Sequence, residues 1–132
     1  MKTNCSGNIL VVDDNDFVLM AITLLLRSHG FEVTDCASAE EAVSRFGGAG
    51  FDAVLTDLRL PKMSGLELME KVRETDARVP VILMTAYTNP ALAQMAAHKG
   101  AFDLILKPSR PKCIVDCVKN AVDHYRIAQG NT

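Results

Sequence analysis

A chain of 132 residues is the size of one globular domain and too short for two ordinary ones. Hydrophobic residues make up 48% and charged residues 23%, which excludes a disordered body, and at this length a core forms without disulfides or a structural metal. Fourteen Lys plus Arg against sixteen Asp plus Glu give a net charge of −2 with no block of like charge, so no direct nucleic-acid binding by this domain is expected from bulk charge.

In chain order, residues 1–7 lack the apolar run of a secretory signal, which points to a cytoplasmic location with reduced thiols. Residues 8–13 (NILVVD) form a short apolar run with the composition of a strand covered on both faces. A helix follows residue 15 and stops at Gly30. It carries the longest apolar stretch, ten residues from 17 to 26 including Thr23, against the roughly 20 that a bilayer requires, so no membrane span is expected. Residues 31–36 (FEVTDC) alternate polar and apolar positions, as an edge strand does.

Ser38 to Glu41 matches the capping box that opens a helix, and so does Ser64 to Glu67. Between them, residues 51–57 (FDAVLTD) read as a covered strand, and residues 79–85 (VPVILMT) and 102–107 (FDLILK) read the same way. Asn89-Pro90 is an N-cap followed by a first helical residue, and Gly100 ends that helix. A last helix begins near Pro111 with Ile114, Val118, Ala121, Val122 and Tyr125 on one stripe. Five such βα units with right-handed crossovers make an open parallel sheet with helices on both faces, and such sheets bind ligands beyond the carboxyl ends of their strands.

The residues at those ends carry the chemistry. The first run ends in Asp13-Asp14, the third in Asp57, the fourth in Thr85 and the fifth in Lys107. Any one of these has an ordinary explanation: an Asp at a strand end commonly caps a helix, Asp14 especially, and a Lys before Pro is usually solvated. The set as a whole is harder to explain so. Three carboxylates brought together repel unless a cation neutralises them, and oxygen ligands suit Mg2+. An ammonium and a hydroxyl opposite suit an incoming phosphoryl group, with Asp57 as the carboxylate nucleophile. Cys113 and Cys117 share a helical face, but the spacing is not that of a zinc site, and Cys5 and Cys36 join no cluster. His29, His98 and His124 stand near helix ends, where surface or capping roles are expected.

In ILVVDD, VLTDLRLPKMSG, ILMTAY and GAFDLILKP the chain resembles the receiver domain of bacterial two-component response regulators, in its chemotaxis-type form. The resemblance runs from about residue 8 to 126 and implies a single receiver domain over 1–132. It implies an α/β fold, a flavodoxin-like three-layer sandwich with a five-stranded parallel sheet of order 2-1-3-4-5 and five helices. It further implies that Asp57 is phosphorylated, that Asp13, Asp14, Asp57 and the carbonyl of Arg59 hold Mg2+, and that Thr85 and Lys107 bind the phosphoryl group. The Lys107-Pro108 bond is expected to be cis.

The partners implied are a sensor histidine kinase or phosphotransfer protein and a downstream effector or output domain. The switch runs through Thr85, Ala86 and Tyr87 to the face of the fourth helix, fifth strand and fifth helix. One position departs from the family: where an aromatic switch residue usually stands, three before the lysine, this chain has Leu104. Arg59 and Tyr87 occupy positions that tune access of water, which points to slow hydrolysis. Residues 90–98 are apolar almost all round, so a homodimer or effector surface stands beside the reading of a small Ala-rich helix. The wording VLTDLRLP and MTAY leans toward regulators of transcription. The competing function is a Mg2+-dependent aspartyl phosphatase or phosphotransferase acting on small molecules, but Arg59 stands where such enzymes usually have a second acid. A flavodoxin-like cofactor binder would want a phosphate loop where Asp13-Asp14-Asn15-Asp16 stands. The reading is therefore a signalling module that catalyses only its own phosphorylation and dephosphorylation.

Overall fold

A computed structural model of the chain describes residues 6–47, 50–86, 89–128 and 130. Strands and helices alternate throughout: β1 (Asn8–Val12), α1 (Asp16–Ser28), β2 (Glu32–Cys36), α2 (Ala39–Phe46), β3 (Ala53–Asp57), α3 (Gly65–Thr75), β4 (Val81–Thr85), α4 (Pro90–His98), β5 (Asp103–Leu106) and α5 (Pro111–Ala128). The five strands pair in parallel in the order β2-β1-β3-β4-β5.

Alternation along each strand splits the core in two. Ile9, Val11, Leu55, Ile82 and Met84 meet Leu19, Ile22 and Leu26 of α1 and Ile114, Val118 and Val122 of α5. Leu10, Val12, Val54 and Leu83 meet Ala42 and Phe46 of α2, Leu68, Met69 and Val72 of α3 and Ala96 of α4. This is the three-layer arrangement in which a parallel sheet is covered on both faces. The expected stripe of α5 is buried throughout, with Val115 and Cys117 added to it.

Three local expectations change. Ser64 and Glu67 form the full reciprocal capping box, whereas Ser38 accepts the Glu41 N–H but Glu41 reaches back to the N–H of Ala37 and to Arg45. The cap of α1 is Asn15, which accepts the N–H groups of Phe17 and Val18, so Asp14 does not cap the helix. β5 is the second sheet edge, not a strand covered on both faces: only Ile105 is buried there, and Leu106 is 45% exposed. The glycine stops hold, since Gly30 and Gly100 take φ near +101° and +102° directly after the caps of α1 and α4.

Of the described cysteines, Cys36 and Cys117 are buried and Cys113 is exposed. Burial first, then nearby carboxylates, push the Cys36 thiol up to about 11 and that of Cys117, which donates to Asp103, up to about 12. Both therefore stay protonated. His29 closes the end of α1 against the carbonyl of Leu25, and His124 packs on Phe102. Among the described residues no helix is long and apolar enough to cross a membrane.

Candidate functional site

The parallel register brings Asp57 beside Met84 and Thr85 beside Leu106, so three strands end at one level. Asp13 and Asp14 follow β1 directly and extend the same row. Asp13 is fully buried and its Oδ1 accepts the Asn15 N–H at 2.9 Å. Asp14 is exposed. Carboxylate oxygens of Asp13, Asp14 and Asp57 lie within 4.8 Å of one another, and among the described residues these three form the group of acids, histidines or cysteines with metal-ligand spacing.

Lys107 reaches this group from the end of β5. Its Nζ donates to Asp13 Oδ2 at 2.9 Å and stands 3.3 Å from Asp57 Oδ2. The other oxygen of Asp57 accepts the backbone N–H of Arg59 at 3.4 Å. The Lys107-Pro108 peptide bond is cis, as expected. The Lys107 N–H donates to the Thr85 carbonyl at 2.7 Å, which ties the ends of β4 and β5 together. Thr85 is buried, and Ala86 follows it into the loop before α4. Tyr87 lies outside the described residues.

Electrostatically the crevice holds more negative charge than it can neutralise. Burial raises the pKa of Asp57, Lys107 lowers it, and the charge of Asp13 raises it again, leaving it above the ordinary carboxylate value. Burial disfavours the charge on Lys107, but its hydrogen bond to Asp13 and the charges of Asp13 and Asp57 together hold its pKa above the usual ammonium value. The ammonium is thus shared by Asp13 and Asp57. An all-oxygen donor set with excess negative charge fits a hard divalent cation such as Mg2+.

The strand end that carries Asp57 is also fixed from behind. A Cβ on Gly65 would sit 2.3 Å from the carbonyl oxygen of Asp57, so only glycine allows α3 to start against this strand, and the Gly65 N–H donates to Leu58 at 2.9 Å. That contact is a physical reason for the glycine eight residues after Asp57 in VLTDLRLPKMSG.

These features meet in one family. The chain belongs to the response regulator receiver domains. The family model matches residues 9–119. The regulatory protein AtoC of Escherichia coli is 41% identical over 103 residues, covering 77% of this chain and 22% of that protein. The transcriptional regulator NtrC of Salmonella typhimurium is 31% identical over 123 residues, 93% of this chain and 26% of that protein. The chain therefore spans about a quarter of the length of these relatives. Among solved structures, a receiver domain from Clostridium thermocellum superposes with a TM-score of 0.87 at 28% identity, covering 92% of this chain and 98% of that one. A chemotaxis-like receiver from Methanospirillum hungatei gives 0.86 at 29%, with 92% and 97% covered. The receiver is a domain of two-component signalling, and its five-stranded flavodoxin-like sheet has the order 2-1-3-4-5 expected from the resemblance.

One feature escaped the sequence reading. The outer crest of α1 is apolar, with Phe17 85%, Met20 60% and Leu24 59% exposed. Beside it a cavity of about 330 Å³ opens between Val18, Ala21 and Ile22 of α1, Pro108 and Ser109 of the loop after β5, and Ile114 of α5. The signal was the apolar stretch of residues 17–26, which is longer than a helix with one buried face needs. Leu104 is half-buried and packs on the core under α4, while Leu106 and Met95 of the same face are exposed.

Proposed function

We propose that this receiver takes a phosphoryl group onto Asp57 from a phosphohistidine of a sensor kinase or phosphotransfer protein, in a Mg2+-dependent reaction. The observation that carries the reading is the position of Lys107 Nζ, within 2.9 Å of Asp13 and 3.3 Å of Asp57. Of the two acids beside the ammonium Asp13 is fully buried whereas Asp57 is only partly so, which makes Asp57 the one that an incoming phosphoryl group can reach. A carboxylate oxygen of Asp57 attacks phosphorus, the P–N bond breaks, and the imidazole leaves with its proton. Later attack by water on phosphorus breaks the acyl-phosphate P–O bond and returns the carboxylate and inorganic phosphate.

The residues present fit Mg2+. Asp13, Asp14, Asp57 and the Arg59 carbonyl are its ligands in this reading, and the ion supplies charge neutralisation for the transferring oxygens. Lys107, held protonated by its two carboxylate neighbours, donates to the phosphoryl group, and Thr85 adds a hydroxyl. The new charge draws Thr85 inward and Ala86 with it; Tyr87 is the next residue in that loop. Arg59 and Tyr87 restrict water and slow hydrolysis.

The apolar crest of α1 begins at the mouth of the crevice, so it is the surface against which the phosphodonor docks. The output is a change in affinity at the face of α4, β5 and α5, where Met95 and Leu106 are exposed. The partner there is an effector, an output domain or a second copy. Leu104 transmits the change by packing in place of an aromatic hydroxyl. Leu104→Tyr is expected to alter phosphorylation-dependent partner binding or dimerisation, read by analytical ultracentrifugation with and without beryllofluoride.

The deciding experiment is intact-mass spectrometry after incubation with acetyl phosphate and Mg2+. The native chain gains about 80 Da, one phosphoryl group, and Asp57→Asn gains none. A gain that survives the substitution removes Asp57 from the role.

A further inference from the structure

The start of α1 lies at the rim of the crevice, and the residues there compete for one role. Asp13, Asp14, Asn15 and Asp16 follow one another, and all are of types that cap helices. Asn15 holds the cap: its Oδ1 accepts the N–H groups of Phe17 at 3.0 Å and of Val18 at 3.1 Å, and its carbonyl takes the Leu19 N–H at 2.9 Å. Asp13 is engaged elsewhere, between the Asn15 N–H and Lys107. Asp14 is left with the crevice, a carboxylate oxygen within 4.8 Å of those of Asp13 and Asp57.

Asp14 is the next candidate for the cap. Without the side-chain oxygen of Asn15 the helix start can move back by one residue, and the Asp14 carboxylate then takes the amides of Asp16 and Phe17. A cap at Asp16 instead gives up the bond from Leu19 to the Asn15 carbonyl. A carboxylate bonded to helix amides is lost to a cation in the crevice.

We infer that Asn15 is a positioning residue for the metal site: by filling the cap of α1 it keeps Asp14 turned to the crevice, and so sets how tightly a divalent cation is held. The inference rests on the reading of Asp13, Asp14 and Asp57 as Mg2+ ligands. Asn15 acts through Asp14 and not on the ion, and its backbone N–H, which holds Asp13, survives replacement of the side chain. A variant whose Asp14 spends about nine-tenths of its time on the cap binds the ion about tenfold more weakly.

The test is Mg2+ calorimetry on the full chain, native and with Asn15→Ala, Asn15→Gly or Asn15→Ser, each also in an Asp14→Asn background, with amide NMR of the metal-free proteins. Glycine costs a cap little, which secures a folded protein without the side-chain oxygen. The alanine and glycine variants are expected to bind Mg2+ up to about tenfold more weakly, the loss expected from Asp14→Asn itself. The serine variant keeps a capping oxygen and should bind as the native chain does. In the Asp14→Asn background the Asn15 substitutions should cost nothing further. Without metal, the Asn15→Ala chain should show the Asp16 amide shifted as a capped one and the Val18 amide released. A further loss in the Asp14→Asn background, a serine variant no better than alanine, or native affinity in Asn15→Ala beside weak binding in Asp14→Asn overturns the role of Asn15 alone. Native affinity in Asp14→Asn removes Asp14 from the metal reading and the inference with it.

Discussion

At the amino end of the sheet Asp52 and Asp76 are each answered by partners of their own, whereas at the carboxyl end Asp13 and Asp57 share one ammonium and Asp14 crowds against them. Asp52 accepts the Asn8 N–H at 2.9 Å and faces Arg126 at 3.8 Å. Asp76 accepts the N–H of Arg78 at 3.0 Å, its guanidinium at 3.3 Å and the Tyr125 hydroxyl at 3.2 Å. Burial works against the Asp76 charge, but these donors outweigh it and hold its pKa below the ordinary value, while that of Asp57 is held above. A satisfied carboxylate stabilises the fold. A crowded group of them stores repulsion that a cation and a phosphoryl group would relieve, and that difference sets the proposed site acids apart from the structural ones.

The contrast can be broken most sharply at Asp57. Asp57→Asn is expected to abolish the Mg2+-dependent mass gain while leaving the urea midpoint unchanged or higher, because it removes one of three crowded charges. Next in size, Lys107→Ala should cost about 2 kcal/mol in urea unfolding without Mg2+, since it strands the fully buried Asp13 without its cation. Saturating Mg2+ should restore part of that loss. Asp14→Asn, at an exposed position, should leave stability within about 0.5 kcal/mol. Calorimetry should show its Mg2+ affinity reduced about tenfold, as befits the loss of one charged oxygen ligand.

The smallest effect belongs to the other end of the sheet. Asp76→Ala should cost about 1 kcal/mol, the scale of hydrogen bonds to a partly exposed charge. Its folded pKa is depressed, so the contribution is present above the unfolded value, near 3.8, and fades as pH falls through the lower folded value. Urea midpoints of native and variant should therefore converge below about pH 4. Convergence at neutral pH would place Asp76 with the crevice acids.

Much of this was legible in the sequence because the signals were local. Asn89-Pro90, Ser64 with Glu67, and Gly30 and Gly100 mark helix ends through contacts within a few residues, and all hold. The crevice acids were legible because each ends an apolar run. What could not be read depended on neighbours distant in the chain. LIL in β5 has the composition of a covered strand, and only strand order makes it an edge. Asn15 wins the cap of α1 over Asp14 because Asp13 already accepts the Asn15 N–H and turns the chain there. The exposed crest of α1 follows from which helical faces β1, β2 and α5 leave uncovered.

The other edge of the sheet carries a colloidal consequence. In β2 the Glu32 N–H and the Cys36 carbonyl bond inward, to Gly7 and Asp13, so the backbone groups of Val33 and Asp35 face outward. Arg27 reaches across from α1 and donates to the Val33 carbonyl at 2.9 Å, and the exposed carboxylates of Glu32 and Asp35 flank it. A free strand edge is a template on which other chains can grow, and here it is occupied by a guanidinium and fenced by like charge. The domain is thus protected against edge-to-edge aggregation at high concentration by a residue remote from both crevice and switch.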